Sequence, residues 1–127
     1  MNREIKFRLW HKESKQMFYN TASAMNILIG LGGEVKDVYL KSDITDEMVK
    51  SQYTGLKDKN GKEIYESDIV KMHTDKPMVI SWSKKFASFV IDREGWMFSH
   101  WFGEACNGED VEVIGNIFEN NELLQSK

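Results

Sequence analysis

The sequence predicts a mainly β fold, a small, strongly bent antiparallel sheet or SH3-like barrel with short helices added. Apolar and polar residues alternate at Ile5-Lys6-Phe7-Arg8-Leu9, and a period of two marks a strand with one buried face; further short strand candidates follow, as at Met78 to Trp82. Turn residues separate these runs at close, regular spacing, most clearly Asn60-Gly61, a pair that tolerates the positive φ of a tight hairpin turn. The hydrophobic fraction of 41%, with seven Phe, four Trp and four Tyr, is too rich for a disordered chain and sufficient for a core. Many short antiparallel strands are best served by a sheet that curls, because curling removes exposed edges.

The elements follow in order. Residues 4 to 10 read as a strand, Lys12-Glu13-Ser14-Lys15 as a turn, and Met17-Phe18-Tyr19 as the returning strand. Met25, Leu28 and Ile29 have helical spacing between Ala22 and Leu31, and Gly32-Gly33 would end such a helix. Val35, Val38 and Leu40 suit one or two short strands. Thr45, followed by Asp46 and Glu47, offers the polar start of a short helix near Met48 to Lys50, with a loop as the alternative. A hairpin over Gln52 to Tyr65 turns at Asn60-Gly61. The corner Glu66-Ser67-Asp68 leads into Ile69 to Met72, and further strands are expected at Met78 to Trp82, Ala87 to Ile91, Trp96 to Phe98 and Val111 to Phe118. Gly115 interrupts the last of these as a bulge or bend, and Asn120 to Gln125 can close with one helical turn.

A chain of 127 residues suits one domain, residues 1–127, with enough buried surface to stand without staples. One proline, Pro77, and no Ser/Gly-rich or single-charge run leave no candidate linker. Acidic residues exceed basic ones, 20 against 17, so the whole-protein field gives no general attraction for nucleic acid or anionic lipid. The lone Cys106 and the charged start Met1-Asn2-Arg3-Glu4 point to the cytoplasm. The longest apolar stretch, near Met25 to Leu31, is far below the roughly 20 residues that span a bilayer.

Three segments carry a resemblance: Ile5-Lys6-Phe7-Arg8-Leu9-Trp10, the run from Gln52 through Tyr53-Thr54-Gly55-Leu56 and Asn60-Gly61 to Glu66, and Val113-Ile114-Gly115-Asn116-Ile117-Phe118-Glu119-Asn120. Together they resemble the YopX family of phage and prophage proteins, and the middle segment is the specific one. The sequence departs from that pattern at Ser67, where the family commonly has glycine, at His11, where an acidic turn residue is common, and at Asn121, where proline is common. Ser67 is therefore expected either to sit in a less extreme backbone or to be strained. The resemblance implies a β-rich, barrel-like domain from a phage or prophage that forms homo-oligomers. It implies no reaction.

No sharp catalytic constellation emerges, so no enzyme activity and no cofactor are expected. His11, His73, His100 and Cys106 lack close metal-ligand spacing, and a surface histidine with a partly buried thiol accounts for His100 and Cys106 better than zinc or a nucleophile does. Gly30, Gly32 and Gly33 are followed by no Gly-Lys-Ser/Thr, so a turn is expected there instead of a phosphate loop. Trp96, Phe98, Trp101 and Phe102 form the candidate surface for self-association or for a phage or host protein, because aromatic density is a mark of interfaces; packing in the core is the plainer reading. Lys57, Lys59, Lys62, Trp82, Lys84 and Lys85 form the candidate nucleic-acid surface, where phosphate neutralisation and base stacking would combine. Against that stand Trp82, whose strand parity faces the core, and Asp58 and Glu63, which offset the hairpin lysines. The function expected is thus protein association, with nucleic-acid binding by a phage regulator as the alternative.

Overall fold

The computed structural model describes residues 4–19, 27–38, 40–72, 76–85, 87–92, 100–101 and 111–124. The fold is mainly β, with one strongly curled sheet forming a half-barrel and, among these residues, no helix as long as seven residues. The chain groups into two compact units, one made of Met1–Lys6 with Gln52–Lys127 and the other of Phe7–Ser51.

Within Phe7–Ser51, β1 (Phe7–His11) and β2 (Gln16–Phe18) form the expected antiparallel hairpin, with Trp10 opposite Met17. His11 Nδ1 accepts the Ser14 N–H at 3.1 Å across the turn, the job a carboxylate would do at that position. The strand is not one-sided as its alternation suggested: Arg8, Leu9 and Trp10 are all buried, whereas Ile5, expected to be buried, is 62% exposed. Both faces of β1 are covered, so alternation there does not sort inside from outside.

Strands β3 (Ile27–Ile29), β4 (Val35–Asp37) and β5 (Ser42–Asp43) make a small antiparallel sheet in that order. The helix expected over Ala22 to Leu31 is therefore corrected in its described part, since Ile27 and Ile29 turn inward as strand residues against Leu9, Val35 and Met48 while Leu28 points out. Short apolar runs fit either period, and here the glycines decide. Gly30 donates to Glu34 C=O at 2.8 Å and Gly33 donates to Gly30 C=O at 2.9 Å, with Gly33 at φ +90°, so Leu31 to Gly33 is a three-residue hairpin loop and not a helix end. The second expected helix is also corrected. A 3-10 turn covers Thr45–Glu47, and Met48 begins a ten-residue strand. Thr45 does not cap it: its hydroxyl accepts the Val35 N–H at 2.9 Å and is tied to Asp43, fastening the turn to β4.

That strand, β6 (Met48–Lys57), runs from one unit into the other. The larger unit continues with β7 (Glu63–Tyr65), β8 (Asp68–Lys71), β9 (Met78–Ser83), β10 (Ser88–Asp92), β11 (His100–Trp101) and β12 (Glu112–Asn116). The last five form one antiparallel sheet in the order β11-β10-β9-β8-β12. Ile64, Val70, Met78, Ile80, Ile91, Val111 and Val113 are its core. The two-residue link from β7 to β8 places Ser67 at φ +77°, so the departure from glycine leaves a strained residue. The register of β12 on β8 shifts between Val113 and Gly115, the expected bulge. Asn116 then holds the last turn, accepting from the Phe118 and Glu119 N–H groups at 3.0 and 2.9 Å, before a 3-10 turn at Asn121–Leu124. The strand expected at Trp96 to Phe98 lies outside the described residues.

Candidate interaction surfaces

The β6–β7 hairpin carries Lys57, Lys59 and Lys62. Its tip is a tight turn at Asn60-Gly61, as expected, made as a loop of three residues. Asp58 donates to Lys62 C=O at 2.7 Å, Gly61 donates to Asp58 C=O at 2.9 Å, and only Gly61 takes a positive φ, +84°. This is a three-residue loop of the same form as that at Gly30 to Glu34. The Asp58 carboxylate organises it. Its Oδ1 accepts from the Asn60 and Lys62 N–H groups at 2.8 and 2.9 Å, and its Oδ2 accepts from the Val113 N–H at 2.9 Å. Burial pushes this carboxyl up, but the N–H groups of Val113, Lys62 and Asn60 outweigh it and hold Asp58 below the usual carboxylate range. The hairpin is thereby stitched to β12, where Lys59 N–H also donates to Val111 C=O at 3.1 Å.

The lysines of this tip have acidic neighbours. Lys59 Nζ lies 4.0 Å from Glu112 Oε1, Lys57 stands opposite Glu63, and Lys62 lies in the field of Asp58. Upstream, Thr54 Oγ1 donates to Ile64 C=O at 2.7 Å and Gly55 takes φ +90° where the β6–β7 register slips. The Tyr-Thr-Gly-Leu segment is thus a bulge that bends the ribbon. At its base Lys6 bonds Glu63 and lies 4.9 Å from the centre of the Tyr53 ring, and Tyr53 packs on Tyr65 at 5.5 Å. Sequence reasoning missed this cluster, whose members lie 57 residues apart. The Glu63 carboxylate holds the Lys6 ammonium well above its ordinary value, burial opposing and Glu4 assisting. Such an amine is the reverse of a nucleophile. Burial and the Glu63 charge push the Tyr53 phenol up. The cluster is an ion pair lying over a ring.

The β9–β10 hairpin brings Trp82, Lys84 and Lys85 together on one short segment, with Lys84 and Lys85 exposed in its turn. Trp82 corrects the sequence reading. Met78 and Ile80, of the same parity, are fully buried, but Trp82 is 48% exposed. The strand outruns the core. Phe89, opposite Trp82 in the register and packed against the core, meets its ring edge-on at 5.1 Å and 77°. The two lysine hairpins belong to the same unit, each with its own strands.

Of the aromatic run, Trp96, Phe98 and Phe102 lie outside the described residues, and Trp101 is placed by its backbone opposite Val90. His73 and Cys106 also lie outside them. Among the described residues no group of three His, Cys, Asp or Glu side chains could hold a metal ion, and no helix is long and apolar enough to cross a membrane.

The YopX family model matches residues 6–125. The chain belongs to the YopX family. The match runs through both compact units, including residues 20 to 50, where the sequence alone offered no anchor. Two solved structures share the fold. Protein EF1440 from Enterococcus faecalis is 26% identical with a TM-score of 0.60, covering 98% of this chain and 100% of its own. Protein yopX from Bacillus subtilis is 21% identical with a TM-score of 0.55, covering 95% of this chain and 96% of its own. No curated protein matches. The bulge at Gly55, the loop at Asp58 to Lys62 and the turn at Asn116 account structurally for the segments that make this YopX chain recognisable.

Proposed function

We propose that this YopX-family protein is a non-enzymatic accessory protein of a phage or prophage, working inside the host cell by protein association and assembling with copies of itself. The observation that carries the reading is the apolar surface around β3–β4: Leu28 is 59% exposed, Leu31 is fully exposed at the hairpin tip, and Val38 and Leu40 are exposed beyond β4. Exposed apolar residues grouped on so small a sheet suit an interface better than solvent. Lys36 lies between Leu28 and Asp43 across the outer face, and a surface holding both signs can meet its own copy about a two-fold axis. The non-enzymatic part draws on the buried acids, since Asp58 and Asp68 accept backbone N–H groups within their own turns. The surface first expected, Trp96 to Phe102, remains a second candidate for the same role.

Light scattering on the purified protein at micromolar concentration tests the reading. A mass of two or more chains, reduced by Leu31→Lys with Leu40→Lys, is expected. A monomer overturns it.

A further inference from the structure

We infer that the chain assembles by pairing β3 with β3 of a second copy, antiparallel and centred on Leu28, so that two three-stranded sheets become one. The inference rests on the self-association reading and adds to it the strand, the register and the symmetry. β3 stands at the edge of its sheet, and among the described residues β4 is its one paired strand. The loop fixes which backbone groups that edge presents. Gly30 N–H donates to Glu34 C=O at 2.8 Å, and bonded pairs alternate along an antiparallel ladder. Leu28 with Lys36 is therefore the next bonded pair, and Ile27 and Ile29 turn their N–H and C=O groups away from β4. Val35, opposite Ile29, shows the same phase on the far side of β4: its C=O accepts the Ile44 N–H at 2.8 Å and its N–H donates to Thr45 Oγ1 at 2.9 Å.

A row of outward backbone groups is a template for another strand, and this row matches its own reverse. With Leu28 on a two-fold axis, Ile27 of one copy meets Ile29 of the other and each N–H finds a C=O, the self-complementary contact of an isologous dimer. The side chains agree with that register. Leu28, 59% exposed on the outer face, meets its own copy in a non-bonded pair, where Cα atoms approach to about 4.5 Å and side chains touch. Ile27 and Ile29 keep their inward packing against Leu9, Val35 and Met48. A slip of one residue would oppose the outward Leu28 to an inward isoleucine. Charge permits the pairing as well: Lys36 and its copy lie three strand spacings apart, about 14 Å, beyond the screening length of about 8 Å in physiological salt. An unrelated extended peptide matches the backbone row alone, whereas a second copy also covers Leu28.

The test uses the full-length chain. Leu28→Glu sets two carboxylates against each other across the axis, while within each chain the new carboxylate gains Lys36 as its cross-strand partner, so the fold is spared. Sedimentation should show association weakened by about tenfold or more. Leu28→Cys in a Cys106→Ser background should cross-link to its own copy on mild oxidation, and Leu31→Cys, roughly 20 Å from its copy in this register, should not. Hydrogen exchange should find the Ile27 and Ile29 amides protected in the assembly and unprotected in Leu28→Glu. A monomeric wild type overturns the self-association reading and this inference together. An assembly that is indifferent to Leu28→Glu, that cross-links through Leu31→Cys and not Leu28→Cys, or that leaves the Ile27 and Ile29 amides unprotected overturns the strand pairing alone and leaves self-association standing.

Discussion

Asp58 shows how one side chain can hold a turn and a distant strand together. Three backbone N–H groups, two in its own loop and one on β12, converge on its carboxylate. A neutral replacement without acceptors leaves three donors to find new partners in a buried place, and removing the acceptor of such bonds costs more than the bonds contribute net. Asp58→Ala is therefore expected to destabilise the protein by roughly 2–4 kcal/mol in urea titration. The pH dependence has a definite sign. The folded-state carboxyl lies below its ordinary value of 3.8, so the unfolded chain binds the proton first. The extra stability is present above that ordinary value and disappears as pH falls through the lower folded one. Wild type and Asp58→Asn should accordingly converge in stability on acidification below about pH 4; a constant gap across that range would exclude the charge as the cause.

Elements were legible where turn chemistry and alternation agreed, and were misread where only spacing spoke. The hairpins at β1–β2 and β6–β7, the strands β8, β9 and β10, and the bulge at Gly115 could all be read because Gly, Asn, Asp or Ser marked their ends. Ile27 to Ile29 and Met48 to Lys50 were misread as helical because few apolar residues fit both periods, and the contacts that decide, such as Thr45 with Val35, are tertiary. The exposure of Trp82 was illegible for a related reason: parity gives the side of a sheet, and only the structure gives where the core beneath it stops. Ser67 is the corner that sequence comparison read best. Its φ of +77° costs a non-glycine residue about 1–2 kcal/mol, while its N–H and C=O stay bonded to Ile80 and Ile117 at 2.7 and 3.0 Å. Ser67→Gly relieves that strain but makes the unfolded chain more flexible. A net gain of about 0.5–1 kcal/mol is expected in thermal melts, and Ser67→Val should lose stability. Equal stability of the serine and glycine forms would mean that the strain is relieved in some other way.

At the scale of the molecule, residues Phe7–Ser51 interrupt a unit made from both sides of them. The interruption begins and ends at neighbouring points, because Tyr53 N–H donates to Lys6 C=O at 2.9 Å. The cores are divided in the same way. Leu9, Val35 and Met48, with Phe18, Ile27, Ile29 and Ile44, all lie within Phe7–Ser51, whereas every member of the cluster around Ile64, Val70 and Ile80 lies in the other unit. Segments that leave and re-enter a fold at adjacent points are those a scaffold can lose or gain with least disturbance. Replacing residues 7–51 by a short glycine-containing turn should thus leave a chain of roughly 80 residues that unfolds cooperatively, though with only a few kcal/mol of stability from one small core. Hydrogen exchange should find the protected amides in β8, β9 and β12, and the Lys6, Glu63 and Tyr53 cluster should survive. If the shortened chain has no cooperative transition, the larger unit depends on Phe7–Ser51 to fold, and residues 20 to 50 serve the stability of the scaffold as well as any interface they carry.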